Sequence, residues 1–216
     1  LIGNNGLTIE DLASFWQAIA KEFSTFKNIY GYGLMNEPHD LAPETKWFDM
    51  AQASINAIRE VDTNTLIMVG GNDWSSAERW IEQSDTLKFL KDPANNLAFE
   101  AHVYFDKDAS GTYKYSYEEE ECYPEKGIDR VKPFVEWIKQ NKFHGFIGEY
   151  GIPDNDPRWN ETLDLFLGYL QENGINGTYW AAGPWWDTYF MAITPKDGKD
   201  RPQMPIIEKY TSTLKK

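Results

Sequence analysis

Two short apolar runs in this chain each deliver one carboxylate and then stop. Phe146-Ile147-Gly148-Glu149-Tyr150-Gly151 presents Glu149 and is closed by glycine, and Gly33-Leu34-Met35-Asn36-Glu37-Pro38 presents Glu37 and is stopped by proline. Apolar runs of this length, bounded by Gly or Pro, fit parallel strands covered on both faces. An unpaired glutamate is costly inside such a strand, so each is expected at the strand's C-terminal mouth. Two carboxylates at one mouth suit glycosidic cleavage, in which one is protonated to serve the leaving oxygen and the other is ionised to attack or to activate water. The neighbouring exits carry polar and aromatic groups too: Gly71-Asn72-Asp73-Trp74, His102-Val103-Tyr104, and Trp180 with Gly183-Pro184-Trp185-Trp186. One glutamate at such a place is ordinary. Two, with a His-x-Tyr pair and tryptophans, are hard to explain by packing alone.

The elements that would hold these groups alternate strictly. Thr8 and Asp11 mark a helix start, followed by the stripe Leu12, Phe15, Trp16, Ile19, Ala20 and Phe23. Strands are expected at Asn28 to Glu37, Leu66 to Gly70, Leu97 to Tyr104, the Glu149 run and Gly177 to Ala181. Between them lie helical stripes through Trp47 to Val61, Trp80-Ile81, Ile128 to Ile138 and Leu163 to Leu170, with a last helix from Met204 to Leu214. Pro133 is expected near the first turn of its helix. The order αβαβαβαβαβα demands a parallel sheet with helical crossovers. An open doubly wound sheet would commonly carry a glycine-rich phosphate loop, which the sequence lacks, so a (β/α)8 TIM barrel is expected. Only five of its eight strands can be counted, and the chain, read as one domain over 1–216, opens on a helix.

Composition narrows the ligand. With 34 acidic against 21 basic residues the net charge is −13, which opposes nucleic acid and anionic membrane surfaces as partners. Nine Trp and 12 Tyr favour a neutral ligand with flat apolar faces. His39, His102 and His144 lack metal-site spacing, so no metal is expected, and Cys122, the single cysteine, allows no intrachain disulfide. The acidic run Glu118 to Glu121 reads as a solvated loop face. No apolar run is long enough to span a bilayer.

Leu34-Met35-Asn36-Glu37-Pro38-His39-Asp40, His102-Val103-Tyr104, Ile147-Gly148-Glu149-Tyr150-Gly151 and Tyr179-Trp180 together resemble the fourth, sixth, seventh and eighth strand motifs of glycoside hydrolase family five. Within that family the chain looks most like the cellulases, the endo-β-1,4-glucanases, through Phe99-Glu100-Ala101-His102-Val103-Tyr104-Phe105-Asp106 followed by Ser110-Gly111-Thr112. The resemblance implies that the chain supplies strands four to eight of the barrel and works by retaining double displacement. Glu37 would be the general acid/base, Glu149 the nucleophile and Asn36 the donor to the sugar 2-hydroxyl, with His102 and Tyr104 flanking the pair. Trp180 would form the floor beneath the reacting sugar, and Trp74, His39, Trp185 and Trp186 would bind substrate. It implies a β-glucan substrate, no cofactor and a secreted protein. β-Mannanase or mixed-linkage glucanase activity is the alternative within the family, and a non-catalytic carbohydrate-binding fragment the alternative outside enzymology. The family's arginine and histidine on earlier strands have no counterpart here, so a second polypeptide or an N-terminal segment is expected to complete the barrel.

Overall fold

The structure, a computed structural model, describes residues 6–42 and 46–211. They pack as two compact units, one running to Ala101 and including Glu136–Gly145, the other comprising His102–Val135 and the residues from Phe146 on. Five strands appear in the order β1 to β5 along the sheet, β1 and β5 at its two ends. β1–β2, β2–β3 and β4–β5 pair in parallel, as the alternation of helices and strands requires. Among the described residues no helix is long and apolar enough to cross a membrane.

In the first unit, α1 (Ile9–Phe23) opens on a reciprocal cap: Thr8 N donates to the Asp11 carboxylate at 2.8 Å and Asp11 N to Thr8 Oγ1 at 3.2 Å. Its apolar stripe forms as expected but is only partly covered. Leu12 and Ala20 are buried, while Phe15 is 55% exposed and Phe23 37%. β1 (Gly31–Gly33) pairs with β2 (Leu66–Gly70), and α2 (Trp47–Arg59) buries Trp47, Met50, Ala51, Ile55 and Ile58. The Trp47 indole donates to Gly70 O at 2.7 Å, so the first residue of α2 pins the exit of β2. Below the sheet, Trp80, Phe99, Trp137 and Phe143 meet at tilted or edge-on ring angles, the arrangement aromatic quadrupoles prefer. Trp80 belongs to the short helix α4 (Trp80–Ser84), which is followed by a 3-10 turn (Asp85–Phe89).

The first strand is shorter than expected. Beyond Gly33 the Leu34 N bond to Met68 O, at 3.0 Å, continues the ladder. Among the described residues β1 lies at the sheet's end beside β2, Glu37 turns into the left-handed region (φ 43°), and Pro38 has no N–H to donate.

β3 (Leu97–Tyr104) runs from the first unit into the second, which holds β5 (Asn176–Tyr179), most of β4 (His144–Gly151), α6 (Arg158–Glu172) and α7 (Met204–Tyr210). The last helix is shorter than the expected span to Leu214, which lies outside the described residues. The helix α5 (Lys126–Asn141) carries Pro133 at its middle, not in its first turn. The interior proline costs about 3 kcal/mol. Full burial of Val131, Phe134 and Val135 offsets it.

Candidate active site

Each strand exit is built by a local device that the sequence supplies. In the first unit the chain leaves β1 through Asn36, Glu37 and Pro38, with Asn36 exposed and Glu37 half-buried. Leaving β2, it enters a short helical turn, α3 (Asn72–Ser75), in which Asp73, Trp74 and Ser75 all take positive φ, at 56°, 55° and 54°. Left-handed non-glycine residues are costly and persist where surrounding packing dictates them, commonly at functional sites. The result brings Trp74 onto His39. Their rings stack at 4.4 Å with an interplanar angle of 15°, and Trp74 stays 43% exposed. The two expected substrate-binding residues thus make one composite wall, each covering a face of the other. His39 Nδ1 also lies 3.0 Å from Asp40 Oδ2. A cavity of about 450 Å³ opens beside this wall, lined also by Lys46, Asn72, Gln83 and Thr86.

In the second unit the exits of β3 and β4 meet. The Tyr104 hydroxyl donates to Glu149 Oε2 at 2.8 Å, and His102 Nδ1 lies 3.6 Å from the same oxygen. Both residues come from β3 at alternate positions, so period two alone puts them on the face that Glu149 shares. Burial, then the Glu149 charge and the hydrogen bond to it, push the Tyr104 phenol far above its ordinary value. Tyr104 therefore remains a donor throughout the range in which a carboxylate pair works.

Glu149 is aimed by an irregularity in the sheet. Ile147 pairs with Gly177 and Tyr150 with Tyr179, so β4 spends three residues where β5 spends two. The extra residue falls at Gly148–Glu149. Such bulges turn a side chain out of the strand's regular alternation. One residue past Tyr150, a Cβ on Gly151 would sit 2.3 Å from the Trp180 carbonyl oxygen, so glycine is needed to admit that backbone. Trp180 N donates to Tyr150 O at 2.8 Å, and the Trp180–Ala181 peptide is cis. Trp186 meets Trp180 edge-on at 4.8 Å, and Tyr189 packs on Trp186 at 4.9 Å. Trp185, on the 3-10 turn Pro184–Trp186, is 91% exposed.

Sequence reading overlooked Tyr189. Burial raises its phenol, a hydrogen bond from Trp180 lowers it, and the Glu149 charge raises it again. A lone Tyr in a loop gives no periodic signal, and only the aromatic density from Trp185 to Phe190 hinted at it.

The acidic run faces water as expected at Glu118, Glu119 and Glu121, and is corrected at Glu120, which turns inward. Glu118 pairs with Arg158, Glu119 accepts from Ser116 N and Oγ, Glu120 accepts from Lys107 N at 2.7 Å and Tyr115 N at 2.9 Å, and Glu121 pairs with Lys107 Nζ. Glu120 is buried. These bonds staple the loop to itself and, through Arg158, to α6.

Residues 2–185 match the family described as Cellulase (glycosyl hydrolase family 5). The chain belongs to glycosyl hydrolase family 5. It is 36% identical to endo-beta-1,4-glucanase B of Emericella nidulans over 193 residues, covering 87% of this chain and 56% of that protein. Among solved structures it superposes on the Pseudomonas stutzeri endoglucanase Cel5A with a TM-score of 0.90 and 41% identity, over 99% of this chain and 64% of that one. It is also similar to the Xanthomonas enzyme XacCel5A solved with cellopentaose, with a TM-score of 0.87 and 38% identity over 97% of this chain. This family 5 chain therefore has a TIM-barrel fold and contributes five of the barrel's parallel strands. It spans about 56–64% of the length of these first-matched relatives.

Proposed function

We propose that this chain carries the catalytic carboxylates of a retaining endo-β-1,4-glucanase. The observation that carries the reading is the 2.8 Å bond from Tyr104 to Glu149 Oε2 on a bulged strand exit, in a chain of family 5. A carboxylate whose one oxygen is held by a neutral donor is oriented for attack through the other. In the first step Glu149 Oε1 bonds to the anomeric carbon while the bond from that carbon to the glycosidic oxygen breaks. Glu37 gives its proton to the departing oxygen. In the second step water attacks the same carbon from the face the leaving group vacated, Glu37 takes its proton, and Glu149 leaves. Two inversions give net retention.

Asn36 is assigned to the sugar 2-hydroxyl, and His102 to orienting Glu149 or a sugar hydroxyl. Trp180 is the floor for the reacting ring, whose axial C–H face suits an indole. The stacked His39–Trp74 wall and the exposed Trp185, with Trp186, are assigned to sugars further along the chain. A β-glucan is the substrate, a reading supported by the similar Pseudomonas stutzeri endoglucanase Cel5A having been solved in complex with cellobiose. The active barrel is this chain completed by N-terminal β/α units, covalently or as a second polypeptide, in a secreted protein built as one catalytic domain. The reading is tested by reducing-end release from carboxymethylcellulose and by proton NMR of the first-formed anomer. Retention gives the β-anomer first and Glu149→Gln abolishes release. An α-anomer appearing first, or release unaffected by Glu149→Gln, would overturn it.

A further inference from the structure

We propose that Asp106, which touches no reacting atom, is a positioning residue that sets the Tyr104–Glu149 hydrogen bond. The proposal rests on the reading of Glu149 as nucleophile. Asp106 lies two residues beyond Tyr104, and its carboxylate is fully buried. A buried carboxylate needs its lone pairs filled, and here the following loop fills them. Gly111 N donates to Oδ1 at 3.1 Å, while Ser110 Oγ, Thr112 N and Tyr113 N converge on Oδ2 at 3.1, 3.0 and 3.2 Å. One side chain thereby curls residues 107–113 back over the end of β3.

The curl places two groups against the catalytic pair. Gly111, at φ +71°, lies on the Tyr104 ring so closely that a Cβ there would sit 3.0 Å from Cδ1 and Cε1. Tyr113, held by its own N–H to Asp106, extends its hydroxyl between two strands. It donates to Gly151 O at 2.6 Å and accepts from Phe105 N at 2.9 Å. That single oxygen ties β3 one residue past Tyr104 to β4 two residues past Glu149. From the helix side, Arg130 donates to the Tyr104 carbonyl and, at 3.0 Å, to that of Lys107. Tyr104 is therefore gripped at its backbone by α5 and at its ring by the loop, and only the loop depends on Asp106. A displacement of about 1 Å at a site like this costs on the order of a hundredfold in rate.

The test uses the chain itself and needs no substrate. With 13C-carboxyl-labelled glutamate, the Glu149 resonance, identified by its loss in Glu149→Gln, is titrated in the parent chain and in Asp106→Asn, Tyr113→Phe and Tyr104→Phe. His102 lies against Glu149, Glu37 is the other carboxylate of the proposed pair, the Tyr189 phenol feels the Glu149 charge, and all three are unchanged throughout. Tyr104→Phe removes the donor and raises the Glu149 midpoint by about one pH unit. Asp106→Asn and Tyr113→Phe are expected to raise it in the same direction, by at least about half a unit, and to add nothing when combined with Tyr104→Phe. The sign is diagnostic, since deleting a negative charge near Glu149 would by itself lower its midpoint. A purely structural role would lower Tm and leave the midpoint in place. An unchanged or lowered midpoint in a folded variant, shifts additive with Tyr104→Phe, or failure of both variants to fold would overturn the proposal. Absence of glucan hydrolysis would defeat the functional reading without moving any of these midpoints.

Discussion

Tyr104 is the residue on which the proposed chemistry turns most sharply. Replacing it with phenylalanine keeps the ring that Gly111 packs on and deletes only the hydroxyl bonded to Glu149 Oε2. A hydrogen bond to a charged group is worth about 1.5–3 kcal/mol, so kcat/KM should fall roughly 10- to 150-fold. The acidic limb of the pH–rate profile should move upward, since an unsupported carboxylate holds its proton to higher pH. A measured loss under twofold with an unmoved limb would remove Tyr104 from the mechanism. The alkaline limb should not report Tyr104, whose phenol is held far above its ordinary value by burial and by Glu149. His102, Tyr104 and Glu149 were legible in the sequence because strand period and strand-end punctuation place them without knowledge of tertiary contacts. Asp106, Tyr113 and Tyr189 were not, because their partners are fixed by a loop's return path, which leaves no period in the sequence. Glu120 misled for the same reason, since a carboxylate in an acidic row looks solvated until the Lys107 and Tyr115 amides are seen to meet it.

Elements are held in register by a few buried polar joints. Arg59, at the end of α2, meets Asp92 with both side chains almost fully buried, at 2.7 Å through Nε, and also donates to the carbonyls of Asp62 and Thr65 at 3.0 and 2.9 Å. Arg59→Met would strand the Asp92 carboxylate and should cost about 3–5 kcal/mol, read as a lower urea midpoint. An unchanged midpoint would show the joint to be dispensable. Asp62 joins β1 to the α2–β2 turn, accepting from Tyr32 at 2.9 Å and from Thr65 Oγ1 at 2.6 Å. Burial would raise its carboxyl, but the bonds from Thr65, Asn64 and Tyr32 outweigh it and hold it down at about 2, against an ordinary 3.8. Because the folded value is the lower one, the stabilisation is fully present above about pH 4 and is lost as pH falls toward 2; it amounts to on the order of 2 kcal/mol. Asp62→Asn should flatten the acid unfolding curve in that window, and an unaltered curve would contradict the assignment. Helices and strands were largely legible, since α1, α2, β2, β3 and α6 follow amphipathic or apolar runs, and α1 also carries its cap. The shortness of β1 was not, because the turn at Glu37, in the left-handed region, ends the ladder before the apolar run does. Nor was Pro133 at mid-helix, where burial overrides propensity.

At the scale of the molecule, this chain presents apolar side chains to water on and just after its first helix. Tyr30 is 68% exposed, Phe26 51% and Phe15 55%, on β1's approach and on α1, and the chain spans about 56–64% of the relatives' lengths. Purified alone, it should associate in a concentration-dependent way in sedimentation velocity and bind a hydrophobic dye, and both should diminish when N-terminal β/α units are supplied. A dye-silent monomer would contradict this. The barrel class was legible from the alternation of elements and the absence of a phosphate loop. The exposed stripe of α1 was not, since a sequence shows which face is apolar and is silent about what covers it. The central claim, that Glu149 attacks sugar while Glu37 serves the leaving oxygen, is tested most directly by trapping. The completed barrel would be treated with a 2-deoxy-2-fluoro-cellobioside bearing a good leaving group and examined by peptide mass spectrometry. One disaccharide adduct per chain, on the peptide containing Glu149 and absent in Glu149→Gln, is the predicted result; an adduct elsewhere, or none from a protein that still hydrolyses β-1,4-glucan, would contradict the account.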